Sequence, residues 1–238
     1  VYDAEFADAY DAIYQAHKDY QAEADVIRGL VLDRCPHATT LLDLGCGTGS
    51  HLVHLAEQFD VVGVDLSAAM VEHARAKLPD VPIHCGDMRD VALDREFDAV
   101  CSMYSSVGYL PGLAGLRAAA ENMVRHLSPK GVLVVEPWIL AEHWNGGELV
   151  TATFEHNGVV VSRMGRWKTV KSRSVVEMHY LVSDAEGDNI RYFTDRQSLG
   201  LYTKAEYEAA FADAGCPVEY VEGVGHAARG LFVGTRPL

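Results

Sequence analysis

The residues of this 238-residue chain whose types and spacing could do chemistry begin with Asp43-Leu44-Gly45-Cys46-Gly47-Thr48-Gly49. Its three glycines, spaced by two, come after the apolar stretch Thr40-Leu41-Leu42 and precede Leu52, Leu55 and Phe59 at helical spacing. Glycine lets the backbone turn sharply and approach a ligand, while a helix N-terminus presents N–H donors to it. A nicotinamide-type fingerprint needs its third glycine at position 50, where this chain has Ser. Asp65 comes twenty residues after Gly45 and closes the second apolar run, Val61-Val62-Gly63-Val64. A carboxylate there can accept both hydroxyls of a ribose. Asp87 comes after a third run, Val81-Pro82-Ile83-His84-Cys85. Each feature has a purely structural alternative. The glycines could make a tight βα connection, Asp65 could supply charge to the helix capped by Ser67, and Asp87 could cap or turn. The recurrence of such features after three successive strands is what points to a nucleoside-bearing ligand.

Strand-like and helix-like stretches alternate, which implies a parallel sheet with crossover helices. Phe6, Tyr10, Ile13 and Tyr14 share one face of a first helix; Tyr20, Ala24, Ile27 and Val31 share a face of a second. Phe97–Met103 reads as a fourth strand ending in the polar loop Tyr104-Ser105-Ser106-Val107-Gly108-Tyr109. A helix carrying Leu113, Leu116, Ala120, Met123, Val124 and Leu127 is expected to stop at a turn, Ser128-Pro129-Lys130-Gly131, before the bare apolar strand Val132–Val135. Between about 148 and 198 the pattern changes to antiparallel strands at 159–163, 174–182 and 189–194, with turns at Asn157-Gly158 and Glu186-Gly187-Asp188. Long insertions near a site usually cover substrate. The core is therefore read as 1–147 plus 199–238, and 148–198 as a cover. Thr203 and Glu206 form a capping box for a helix ending at Ala214-Gly215, and strands at 218–221 and 231–235 close the chain.

Composition sets the bounds. The length suits one α/β core, since single cores stop growing at about 250–300 residues. A 49% hydrophobic content argues against disorder, and no apolar run reaches the roughly 18 residues of a membrane span. A net charge of −14 argues against a nucleic-acid partner, which would require a broad basic face. Five cysteines without a Cys-x-x-Cys pair, and no charged-plus-apolar leader in the sequence as given, lead us to expect a cytoplasmic protein with reduced thiols. Eleven histidines are scattered without ligand spacing, so no metal is expected.

The Asp-x-Gly-x-Gly-x-Gly run resembles motif I of class I S-adenosylmethionine (SAM) methyltransferases. Other segments make the resemblance narrower: Lys18-Asp19-Tyr20, Gly86-Asp87-Met88-Arg89-Asp90, Met103-Tyr104-Ser105-Ser106-Val107-Gly108-Tyr109-Leu110, Val134-Val135-Glu136-Pro137-Trp138, Glu177–Val182, Glu206–Phe211 and Arg229–Gly234. Across nearly the whole chain and in order, these resemble the bacterial TDP-amino-sugar N,N-dimethyltransferases of the desosamine and mycaminose type. The stretches Gly165-Arg166-Trp167-Lys168 and 197–202 depart from that pattern.

The resemblance implies a Rossmann-like α/β fold: a seven-stranded, mostly parallel sheet with a reversed last strand, helices on both faces, and an antiparallel β insert after strand five. It implies SAM as cofactor, held by Tyr10, Tyr20, Asp43, Gly45, Cys46, Gly47, Gly49, Asp65, Leu66, Met70, Asp87, Met88 and Met103. Tyr2 and Tyr109 are implied to face the reacting groups, with Glu136 as a sugar or ammonium contact or else a helix cap. Tyr14 reads equally as site or core aromatic. Substrate contacts fall on Ser106, Trp138, Arg163, Arg166, His179 and Arg229, with Lys168, Lys171 and Arg173 as further candidates for the diphosphate. The expected activity is transfer of one or two methyls to the amine of a TDP-linked amino-deoxysugar in natural-product biosynthesis, mainly by proximity and orientation. Alternatives are SAM-dependent methylation of another small amine or hydroxyl, and a non-catalytic SAM-binding protein. Strand edges of the insert offer a route to a homodimer.

Overall fold

The computed structural model describes residue 10, residues 12–14, 18–183 and 189–238. Phe6, Tyr2 and the expected turn at 186–188 lie outside the described residues. Helix α1 (Tyr20–Arg34) starts where the Asp19 side chain accepts the Ala22 N–H at 2.9 Å, and it buries Tyr20, Ala24, Ile27 and Val31 as its spacing predicts. Then come β1 (Thr40–Leu44), α2 (Ser50–Leu55), β2 (Asp60–Asp65), α3 (Ala68–Lys77, capped by Ser67), β3 (Ile83–Cys85), β4 (Phe97–Ser102), α4 (Gly112–Arg125) and β5 (Leu127–Val135). After the insert the core closes with α5 (Lys204–Asp213), which carries the expected Thr203–Glu206 capping box, and two further strands, Val218–Val221 and Leu231–Thr235.

The insert comprises β6 (Leu149–His156), β7 (Val159–Arg166), β8 (Lys168–Val170), β9 (Arg173–Ser183) and β10 (Ile190–Gly200), so the closing strands are β11 and β12. The main sheet runs β11-β12-β5-β4-β1-β2-β3. Its central strands pair parallel, and β12 enters antiparallel to β5, the expected reversed last strand. Strand order reverses between β4 and β1, and in open α/β sheets the crevice at such a switch point receives the ligand.

Successive residues of a strand point to opposite faces, and the core obeys this rule. Leu42, Leu44, Leu133 and Val135 pack under α4 and α5, whereas Leu41, Val132 and Val134 pack under α1 and α2. A third cluster joins Ile13, Tyr14 and Tyr20 to Val161, Val176, Met178 and Tyr180 of the insert. The N-terminal segment and the insert are thus bound to each other by apolar contact.

Two expectations are corrected. Ser128–Gly131 is no turn between elements but lies within β5: Leu127 pairs with Phe97 and Val132 with Ala99, and the residues between bulge outward with Lys130 at φ 67°. Among the described residues the insert has five strands where the sequence pattern predicts three. The missed β6 alternates exposed and half-buried residues, and so lacks the apolar run that marks a strand. Asn157-Gly158 joins β6 to β7 with φ of 49° and 79°, the left-handed pair of a tight hairpin turn.

Candidate active site

A cavity of about 790 Å³ opens at the carboxyl ends of β1, β2, β3 and β4 and extends beneath the insert. On one side the glycine turn forms its floor. Gly45 sits at φ +88°, and a Cβ there would stand 2.6 Å from the Cβ of Ser106, so the turn and the loop after β4 touch only because Gly45 has no side chain. Gly47, at φ +55°, has nothing within 4 Å of where its Cβ would be. That open backbone is a cradle for a ligand. The Gly47 N–H donates to Asp65 Oδ2 at 2.8 Å and the Ser67 N–H to Oδ1 at 2.9 Å, which aims the carboxylate at the cavity. Burial raises the Asp65 pKa, against the lowering effect of these N–H donors. Asp87 is gripped by Arg89, whose Nε lies 2.9 Å from Oδ1, and this partner holds its carboxyl below the usual range.

Of the predicted cofactor residues, Tyr10, Tyr20, Gly45, Cys46, Gly47, Asp65, Leu66, Met70, Asp87, Met88 and Met103 all line the cavity. Asp43 and Gly49 do not. Asp43 lies under the turn, 1% exposed, and burial pushes its carboxyl up to about 7, with the Cys101 thiol as a hydrogen-bonding neighbour. Gly49 caps α2 at φ 77°, a structural role.

Of the predicted catalytic residues Tyr109 lines the cavity, as do Ser106, Trp138, Arg163 and Arg229 among the predicted substrate residues. The Arg229 guanidinium lies 4.5 Å from the Trp138 ring centroid, and burial lowers its pKa. Ser106 Oγ donates to the carbonyls of Gly45 and Met103, so it braces the two loops. Three predictions are not met as drawn. Arg166 is exposed and outside the cavity. His179 points outward from β9 and pairs with the Tyr192 hydroxyl at 2.7 Å, because strand alternation puts it on the opposite face from Met178 and Tyr180. Glu136 is fully buried behind the cavity, where Oε2 accepts the Tyr104 N–H at 2.7 Å and Oε1 the His226 N–H at 2.6 Å. It thus joins the two loops that carry those N–H groups. Tyr2 lies outside the described residues. Lys168 and Lys171 are exposed, while Arg173 lines the cavity with its guanidinium occupied by Ser198 and the Leu110 carbonyl.

Sequence reasoning missed Tyr104, Trp167, Met178, Asp195 and Gln197, all of which line the cavity. For the last three, a period-2 reading of β9 and β10 would have found them. It also missed a buried charge cluster. Glu23 takes Lys18 at 3.0 Å, His51 at 2.7 Å and His226 at 3.6 Å. Burial alone would raise the Glu23 pKa, but hydrogen bonds from His226 and His51 and the Lys18 charge hold it well below the carboxylate range. The cluster ties α1 to α2 and to the loop bearing Arg229. Lys18 Nζ lies 3.5 Å from the Tyr104 ring centroid, on the far side of one cavity wall.

This switch-point crevice, with a glycine cradle and a carboxylate ending β2, is that of a class I SAM-dependent methyltransferase, and residues 41–131 match the methyltransferase domain family. SAM is the cofactor, and the open Gly47 backbone with the Asp65 carboxylate beside it fits the nucleoside. The chain is 45% identical over 237 residues, 99% of each sequence, to dTDP-3-amino-3,4,6-trideoxy-alpha-D-glucopyranose N,N-dimethyltransferase of Streptomyces venezuelae. It superposes on the crystal structure of Streptomyces venezuelae DesVI with a TM-score of 0.94 at 45% identity, covering 100% of both chains. On SAM-bound CalS10, an amino pentose methyltransferase from Micromonospora echinaspora, the TM-score is 0.86 at 40% identity, with 99% and 98% covered. The chain belongs to the TDP-amino-sugar N,N-dimethyltransferase family.

Asp43 yields a prediction. Its unfolded pKa is about 3.9, and the folded value is raised to about 7. The stability it contributes is therefore complete below about pH 4 and is lost as pH rises toward 7, where the unfolded state releases the proton first. Asp43→Asn carries no such proton. Its stability relative to the parent protein is expected to increase between pH 4 and 8 in urea melts; parallel profiles would contradict the assignment.

Proposed function

We propose that this protein transfers methyl groups from SAM to the amino group of a TDP-linked amino-deoxysugar, twice on the same nitrogen, in the manner its relatives' names describe. The observation that carries this reading is the continuity of one cavity from the glycine cradle to the insert. The cofactor half and a second half containing Trp138, Trp167, Arg163 and Arg229 form a single space. The second half suits a nucleoside diphosphate. Trp138 and Trp167 pack 5.2 Å apart, centroid to centroid, and offer flat surface beside two arginines. The buried Nε of Arg163 has no hydrogen-bond partner among the described residues, a donor suited to an anionic oxygen.

SAM supplies an electrophilic methyl on a positively charged sulfur. What the chain contributes is orientation: holding the amine in line with that methyl accounts for up to roughly 7–11 kcal/mol of barrier lowering. Tyr109, at the loop after β4 and 40% exposed, faces the amine from the catalytic loop. Tyr14 packs 5.1 Å from Tyr104 and lines the same cavity. Their hydroxyls orient the nitrogen, and its proton leaves to water. The five unbridged cysteines support a reducing, cytoplasmic setting. The insert's outer side supports a homodimer, because Met164, Leu181, Ile190 and Tyr192 are each about half exposed or more there. Light scattering is expected to give twice the chain mass; a single-chain mass at micromolar concentration would refute pairing.

Incubation with SAM and a panel of TDP-3-amino and TDP-4-amino deoxysugars, read by mass spectrometry, tests the activity. Two added methyls on one panel member are expected. No gain on any member, with SAM bound and no thermal shift from TDP, would redirect the reading to another small amine or hydroxyl.

A further inference from the structure

Among the described residues three carboxylates line the cavity: Asp65, Asp87 and Asp195. The first two stand at the ends of β2 and β3 in the cofactor half. Asp195 is on the inner face of the insert. Phe193, Asp195, Gln197 and Leu199 alternate along one side of β10, opposite Tyr180, Met178, Val176 and Ser174 of β9, and these four β9 residues are buried. This row leads down to the loop that carries Tyr109. Leu199 packs so closely on Gly108 that a Cβ there would meet it at 3.0 Å, and Arg173 bonds both Ser198 Oγ at 2.8 Å and the Leu110 carbonyl at 2.9 Å.

The Asp195 carboxylate is oriented by Gln197, whose Nε2 donates to Oδ2 at 2.9 Å. Tyr14, Tyr109, Arg163 and Asp195 all line the one cavity, and the Tyr180 hydroxyl is buried on the β9 strand between β7 and β10. Arg163 sits across from Tyr180 on β7, and Asp195 across from Met178 on β10. The inner face of the insert thus carries the Arg163 guanidinium on β7 and the Asp195 carboxylate on β10, with Arg173 and Arg196 also in the cavity lining.

A sugar nucleotide bearing an amine likewise carries both signs of charge. Its diphosphate is anionic at one end, and a primary amine of ordinary basicity is cationic at the other at neutral pH. Complementary charge of this kind selects a partner and fixes its direction of entry. We propose that Asp195 is a specificity-determining residue of this reaction: it binds the protonated amino group of the arriving sugar nucleotide and so rejects the same sugar bearing a hydroxyl. The inference rests on the TDP-amino-sugar function proposed for this chain. Binding precedes chemistry; the ammonium then loses one proton to water, the electron pair staying on nitrogen, before methyl transfer.

The test is calorimetric titration of the SAM-binding protein and of Asp195→Asn with three ligands: TDP, a TDP-amino-deoxyhexose, and the TDP-hexose with hydroxyl in place of the amine. The parent protein is expected to prefer the amino sugar by about tenfold or more at pH 7, a charged hydrogen bond's usual effect. That preference should fade as pH rises past the amine's pKa. Asp195→Asn is expected to reduce it to about twofold or less at every pH while TDP binds as before. Asp195→Ser gives the same readout should the amide disturb packing, with TDP binding as the check on folding. An undiminished preference in both variants would overturn the proposal. Failure of the parent protein itself to bind TDP would overturn the sugar-nucleotide reading and the role of Asp195 with it, a result distinct from a retained preference.

Discussion

The half of the cavity proposed to take the substrate depends on one buried carboxylate. Glu136 directly follows β5 with no exposed surface, and each of its oxygens accepts a backbone N–H from a different loop: Tyr104 after β4 and His226 before β12. Both loops are bent in ways that ordinary residues resist. Tyr104 and Ser105 have φ of 51° and 65°, and Ala227 and Ala228 have φ of 52° and 55°. Each non-glycine residue in the left-handed region costs about 1–2 kcal/mol. Hydrogen bonds to a charged acceptor in a dry interior are strong enough to offset that strain, and an N–H left unpaired there would add its own penalty. The bends matter because they aim the residues next in the chain. Beyond Ser105, Ser106 braces Gly45 and Tyr109 reaches the cavity; beyond Ala228, Arg229 is seated on Trp138.

A second carboxylate extends this constraint toward the cofactor. Glu23 on α1 gathers Lys18, His51 and His226, so the N-terminal helix, the helix after the glycine turn and the Arg229 loop share one carboxylate. Removing Glu23 would leave the Lys18 ammonium as uncompensated charge in a buried place. The third apolar cluster then joins the same N-terminal region to the insert. The insert, the glycine turn and the Arg229 loop are three walls held to common points, as the proposed reliance on orientation requires.

What can be read from sequence here depends on how local each signal is. The glycine run, Asp65, the Thr203–Glu206 box and the alternation of strands with helices are short-range patterns, and the structure repeats them closely. Strand β6 is invisible in sequence because it is half exposed, and the bulge in β5 reads as a turn because Ser-Pro-Lys-Gly is turn chemistry wherever it occurs. The roles of Glu136 and Glu23 have no local signature. Each depends on other elements brought together by folding, as the Glu136 pairings across 32 and 90 positions show. His179 is misassigned for a subtler reason: neighbours on a strand belong to opposite faces, and only the register tells which face looks inward.

The central role of the buried carboxylate is tested most directly by a pair of affinities, for TDP and for SAM, in Glu136→Gln. The amide keeps one acceptor oxygen but turns an N–H₂ toward the other backbone donor, so one of the two bent loops loses its partner. TDP binding is expected to weaken by about tenfold or more, on the scale of a lost charge-assisted hydrogen bond, while SAM binding changes by no more than about threefold. Equal loss of both ligands, or retention of both, would contradict the claim that Glu136 builds the substrate half of the site.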